Sequence, residues 1–462
     1  MPTPRRALLL FVVLAAFVLL PSSGATNSPN MRIDYSLIDT ARDTHSDIAF
    51  WGNIGVAGNY DGFRVFNTDS HQLITSYLCR GPQNDVSLWQ NGSQLLLIQS
   101  VDRPQLNGET VCSQNHASDT TACGTACFEG IRIFDLTNPA APVYLKGVYT
   151  DCGSHTHTLI PDLANNRLLV YVMSYPAGTG PLCQVPFGKF SIVEIPLANP
   201  QGSSVIAQPP IVGPDPYFGV GCHDITVFLA IHKAAASCQT EGQIWDITDP
   251  ANPDTLHPLL RVDAPGVNFW HSAEFTWDGQ YVTFNDEGGG TCQPNGDGKI
   301  RTYRVSDGQL MSTYMIPRPQ STYCSVHNGM YIPVAGRYLL VAAWYGGGTS
   351  VIDLTDPTTP HEIAYYRADG NPRASDAWSS YWYNGKIYAN DIGRGQDVFD
   401  LLSSTNQFGA TFTHLNAQTQ EGLIAGTPPN ISRRALTGRR ARQGHRMLVT
   451  ARARGWLSPA RG

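Results

Sequence analysis

Gly130-Ile-Arg-Ile-Phe-Asp-Leu-Thr-Asn-Pro139 decides the fold, because the chain repeats it. The stretches 191–200 (SIVEIPLANP), 242–250 (GQIWDITDP), 299–308 (KIRTYRVSDG) and 349–357 (TSVIDLTDP) follow the same pattern, an apolar strand that ends in a polar turn. Weaker copies at 62–67 (GFRVFN) and 396–401 (QDVFDL) bring the number to seven. Seven copies of one strand-then-turn unit predict a radial repeat.

The unit around the last strong copy, His327 to Arg367, shows what is repeated. His327–Pro333 alternates as a strand does. Tyr338–Trp344 is a continuous apolar run, as in a strand buried on both faces. Gly346-Gly-Gly348 breaks it, Ser350–Leu354 is a third strand, and Glu362–Arg367 is a fourth beyond an Asp-Pro turn. The predicted fold is therefore all-β, a seven-bladed β-propeller of four-stranded antiparallel blades. The seventh blade lacks a fourth strand after Leu402. Arg32–Ile38 precedes the first blade and is expected to complete the last one, closing the ring; 407–413 is the alternative source. Closure removes exposed strand edges.

The predicted boundaries are a signal peptide over 1–25, the propeller over 31–402, and a disordered C-terminal extension over 403–462. Arg5 and Arg6, the apolar run Ala7–Leu20 and Ser23-Gly-Ala25 form the export signal. The run is about 14 residues, short of the ~20 that span a bilayer. From 433 onward there are nine arginines and no acid, as in a solvated tail. A net charge of −6 gives no reason to expect nucleic acid as a partner. The expected state is a secreted monomer in the periplasm or cell exterior, without a membrane span in the mature chain.

Ten cysteines in an exported chain favour disulfides. The strand register places them in loops on one face of the disk, together with the longest insertions, so that they staple a crown around the channel mouth. Blade adjacency suggests Cys292–Cys324 and Cys183–Cys238 as pairs.

The chemistry is expected on that same face. First strands line the central channel, and four of them begin with His157, His223, His271 and His327; His155 is a spare. Neutral imidazoles converging on one axis are ligands for a transition metal, Zn, Cu, Fe or Ni. Asp286 and Glu287 end a second strand above His271 and are the candidate general bases. Asp61, Asp102 and Asp391 end second strands in the same way, and Asp47, Asp85 and Asp376 begin the remaining first strands. Trp270, Trp344, Trp378, Trp382 and Tyr345 lie near strand ends and suit packing between blades or a ligand platform.

On these residues the chain resembles the LVIVD-repeat β-propellers, and among them the exported bacterial choice-of-anchor B group. IFDLTNP, IWDITDP and VIDLTDP carry the repeat; Cys222-His-Asp224, Trp270-His-Ser272 with Asn285-Asp-Glu287, and Val326-His-Asn328 carry the histidine elements. The resemblance covers roughly residues 40 to 400 and implies the propeller, with no assigned activity. Two functions follow as expectations. One is an extracellular binding module for an unidentified ligand or protein, with a disulfide-stapled, His-lined mouth. The other is a metal-dependent enzyme, an oxidase or a lactonase-like hydrolase, using the central histidines.

Overall fold

A computed structural model of the protein describes residues 26–41, 44–106, 127–174, 188–213, 221–320, 323–334, 336–370, 373–402 and 411–421. The export signal, Cys112, Cys123, Cys183 and the arginine-rich tail lie outside these residues.

The architecture is all-β. Strands hydrogen-bond in chain order in antiparallel sets of four, beginning with His45–Trp51, Ile54–Asn59, Gly62–Asn67 and Gln72–Leu78. Later sets open with Val86–Asn91, Thr156–Asp162, Ile225–Phe228, Trp270–Phe275, Val326–Ile332 and Ala377–Tyr383. A propeller fits this order. The set that begins at Ala377 holds three strands from its own stretch of chain. Its fourth position is filled by Met31–Ile38, antiparallel to Gly395–Leu401 with Met31 opposite Leu401 and Ile38 opposite Gly395.

Second strands are buried on both faces. Leu339–Trp344 has every residue buried. Tryptophans fill the space between sets: Trp245, Trp270, Trp344 and Trp382 are among the largest fully buried side chains. This is the packing role for Trp270, Trp344 and Trp382.

The repeated motif is turn chemistry. Asp135, Asp246 and Asp353 each accept the backbone N–H two residues on, from Thr137 (2.8 Å), Thr248 (2.7 Å) and Thr355 (2.8 Å). Asp249 and Asp356 repeat the bond to Ala251 and Thr358. Two successive side-chain-capped turns hold the chain while proline fixes φ, so the next strand returns in register.

Two disulfides join described residues, Cys292–Cys324 and Cys222–Cys238. The first is the expected pair. The second corrects Cys183–Cys238. Cys222 enters the first strand of its set directly opposite Cys238 in the second, their Cα atoms 3.6 Å apart, and the adjoining His223 N–H donates to Ser237 O. The bridge is thus between adjacent strands of one set, a possibility that reasoning from neighbouring blades overlooks. Cys79 and Cys152 are also disulfide-bonded. Disulfides fit an oxidising, extracytoplasmic compartment. No helix among the described residues is long and apolar enough to cross a membrane.

The end of the fold needs a second correction. Part of the stretch assigned to a disordered extension is built into the protein. His414–Leu415 pairs with Phe50–Trp51, and Thr419–Gln420 runs parallel to Val227–Phe228. Leu415, Asn416 and Gln418 to Gln420 are buried. The side chains of Asn416, Gln418, Thr419 and Gln420 hydrogen-bond to the inner strands, which burial of the segment requires.

Candidate metal centre

Four histidines from four consecutive sets form one tower. Ring centroids are 4.4 Å apart for His155–His223, 3.9 Å for His223–His271 and 4.0 Å for His271–His327. Backbone register brings them there. His155 N–H donates to Met173 O (2.8 Å) and His223 N–H to Ser237 O (2.6 Å), each just before the first ladder pair of its set. His271 and His327 sit at β-bulges, where the register shifts between Trp270 and Ser272 and between Val326 and Gly329. A bulge re-aims a side chain out of the pleat, here toward the neighbouring histidines.

His155, the spare, therefore takes the place expected of His157. His157 lies two residues deeper in its strand. Its Nδ1 meets Ser100 Oγ at 2.8 Å and its Nε2 meets Ser87 Oγ at 3.0 Å. Both nitrogens are occupied by hydroxyls, and burial pushes its pKa down to about 3. It belongs to neither of the histidine–carboxylate groups that could hold an ion among the described residues.

Three of the four tower histidines are oriented through Nδ1. His155 turns it to Asp102 Oδ1 (3.1 Å) and His223 to Asp224 Oδ1 (3.0 Å), while His327 donates it to the carbonyl oxygen of Trp378. Metal-bound histidines are held in this way by carboxylates and carbonyls. His271 differs. It is 1% exposed, and neither ring nitrogen has a hydrogen-bond partner among the described residues. A buried polar group left unpaired is unfavourable by ~1–3 kcal/mol, so it calls for a partner that the described residues do not supply.

Glu287 faces this gap. Its Oε2 is 3.7 Å from His271 Nε2 and its Oε1 is 3.8 Å from His327 Nε2. These contacts are too long for hydrogen bonds. His271, Glu287 and His327 form one donor group, and His223, Asp224 and His271 a second, with donor atoms in each within 4.8 Å of one another. Donors around a tetrahedral ion with ~2.1 Å bonds stand roughly 3.4 Å apart, so either group closes by about an ångström to take one. Nitrogen and carboxylate donors suit zinc, copper, iron or nickel.

The electrostatics agree with that donor set. Burial holds the pKa of His271 well below the ordinary histidine value, and the neighbouring His223 and His327 lower it further. Burial does the same to His223 and His327. Glu287 is pushed up to about 7 by burial, partly offset by the charge of His155 and a hydrogen bond from Tyr345. Burial also pushes Asp224 up to about 7.

Asp286, the other candidate base, is committed elsewhere. Its Oδ1 accepts the N–H groups of Phe269 (3.0 Å) and Gly288 (2.9 Å), and its Oδ2 faces Arg301. It caps the loop that carries Glu287. Asp391 caps its turn similarly through Gly393 N–H, and Asp61 pairs with Arg80. Asp47 and Asp85 line the cavity beneath the tower with Thr156, Asn328 and Trp378. Tyr345 and Trp378 stand 4.7 and 4.8 Å from the His327 ring, so these two aromatics do belong to the site. Gln418 reaches the same cavity from the C-terminal segment and donates to Asp47 (3.2 Å). That residue carries no signal in the sequence, because its segment copies nothing in the repeat.

Comparison with known proteins leaves the family open. No protein-family model and no curated protein matches the chain. Among solved structures, a proposed 6-phosphogluconolactonase of Bacteroides fragilis is 13% identical, with a TM-score of 0.46 over 76% of this chain and 88% of that one. A chain of the mitotic checkpoint complex is 11% identical, TM-score 0.47, over 86% of this chain and 100% of its own. A computationally designed protein is 11% identical, TM-score 0.41, over 78% and 96%.

Proposed function

We propose that the protein is an exported, LVIVD-like seven-bladed propeller that binds one transition-metal ion at the channel mouth and serves as a metal-dependent enzyme, an oxidase or a hydrolase. The observation that carries this reading is His271, buried between His223 and His327 and opposite Glu287, with both ring nitrogens unpartnered among the described residues. His271, His327 and Glu287 hold the ion, with His223 beside them; Asp224 and the Trp378 carbonyl fix the rings. When bound, the ion polarises an oxygen of the substrate or of water. Two imidazoles and one carboxylate leave coordination positions open for that oxygen.

The protein's own groups set the pH range. Neutral imidazoles and an ionised Glu287 are the metal-binding forms. Glu287 loses its proton at about 7, so affinity for the ion rises as pH increases through neutrality. Tyr345, hydrogen-bonded to Glu287, and Trp378 wall the approach.

The second reading is an extracellular binding module in which the tower only shapes a polar pocket. The close ring-to-ring packing of His155, His223 and His271 favours it, since such contacts exist without an ion. Elemental analysis of protein folded under oxidising conditions separates the two. One ion per chain, lost in His271→Ala while the fold persists, is the result of the metal reading. A metal-free wild type leaves only the binding module.

A further inference from the structure

We propose that the end of the channel opposite the histidines is a peptide-recognition site, and that residues 411–421 are its ligand, bound in cis. The proposal does not depend on a metal.

Among the described residues the first strands of neighbouring sets pair with one another only where Asn328 of Val326–Ile332 meets Ser379 of Ala377–Tyr383. Elsewhere their inner edges offer main-chain N–H and C=O groups, some of them already met by side chains of a neighbouring set, and such edges bind added strands. The C-terminal segment answers these edges one after another. His414–Leu415 pairs with Phe50–Trp51, and Thr419–Gln420 with Val227–Phe228. Between and beyond these short pairings, two carboxamides take the place of backbone. Asn416 accepts from Leu88 N–H (2.7 Å) and donates to Leu88 O (2.9 Å). Gln420 accepts from Phe275 N–H (3.0 Å) and donates to Phe275 O (2.9 Å). A primary carboxamide carries the donor and acceptor of a peptide group, so each side chain acts as a one-residue strand.

The ligand class follows. It is an extended peptide with an Asn and a Gln four residues apart, anchored by an aromatic residue near its start. Here that residue is Phe412, whose ring lies 5.7 Å from Trp277 and 6.0 Å from Trp382. Main-chain pairing supplies affinity and the carboxamides supply register, because Leu88 and Phe275 are fully buried and a ligand without them strands their polar groups.

The test uses the full chain with a protease site inserted in the 403–410 stretch, cut after folding. The cut chain is expected to keep its circular dichroism and to retain the C-terminal fragment through gel filtration. A fluorescent synthetic peptide of sequence 411–421 should displace that fragment, and the same peptide with Asn416→Ala and Gln420→Ala should compete at least ten-fold more weakly. Three outcomes overturn the proposal: unfolding of the cut chain, which makes the segment an inseparable part of the core; loss of the fragment without competitor; and equal competition by the two peptides.

Discussion

His157 and His271 are both buried imidazoles, and their surroundings give them opposite roles. The two serine hydroxyls around His157 satisfy it completely. His157→Ala leaves Ser87 without this partner, leaves Ser100 only its bond to Ser154, and opens a cavity, so urea unfolding should show a loss of about 2–4 kcal/mol, while metal content stays at the wild-type level. Lost metal in that variant would move the ligand role back to His157. Glu274 gives a pH signature. Burial pushes its carboxyl up to about 8, against an ordinary value of 4.5. Between those two values the folded chain holds a proton that the unfolded chain has released, so stability falls as pH rises through that window. The whole effect is at most about 5 kcal/mol. Glu274→Gln cannot titrate, and thermal melts at pH 5 and pH 9 should differ less for it than for the wild type. Parallel pH profiles would mean that Glu274 ionises freely in the fold.

At the scale of the element, the loop after the strand Tyr281–Asp286 carries Glu287 and is held from several sides. The Cys292–Cys324 disulfide ties it to the entry of the next set, Cys324 N–H donates to Gly290 O (2.8 Å), and the Tyr323 hydroxyl donates to Glu287 O (2.6 Å). Replacing both cysteines with serine should lower stability by ~2–4 kcal/mol and weaken metal binding by loosening Glu287. Calorimetric titration with zinc reads the second effect; unchanged affinity would show that the loop holds Glu287 without the bridge. Elements also mark what the sequence makes legible. The Asp-Leu-Thr-Asp-Pro copies are local chemistry, each Asp bonding an amide two residues on, so their period reads directly as repeated strands and turns. Three of the four tower histidines, and the pairing of Met31–Ile38 with Gly395–Leu401, follow from that period. The choice of His155 over His157 turns on a two-residue difference in strand entry that no period shows. The commitment of Asp286 to backbone amides depends on a loop conformation. The seat of Asn416 and Gln420 is a contact across more than a hundred residues, with no local pattern to announce it.

Across the whole molecule, chain ends do what the repeat cannot. Met31–Ile38 covers the edge of Gly395–Leu401, and in the proposed ring this is the join between the first and last blades. Deleting that strand uncovers a long strand edge, so the protein should aggregate or unfold with reduced cooperativity in light scattering and thermal melts; a monomer with wild-type melting would place the join elsewhere. The C-terminal segment meets the inner strands from one side of the cavity, and Gln418 borders the same space as His155, His223, His271 and His327. The histidines come from four separate sets, so the site exists only when those sets are correctly arranged, and a measurement that locates an ion among them tests fold and function together. Anomalous diffraction from crystals grown with zinc, collected on both sides of the zinc absorption edge, is that measurement. The expected result is a peak ~2.0–2.2 Å from a ring nitrogen of His271, in contact with His327 and Glu287. No peak at the tower, or one only at surface carboxylates, would contradict it.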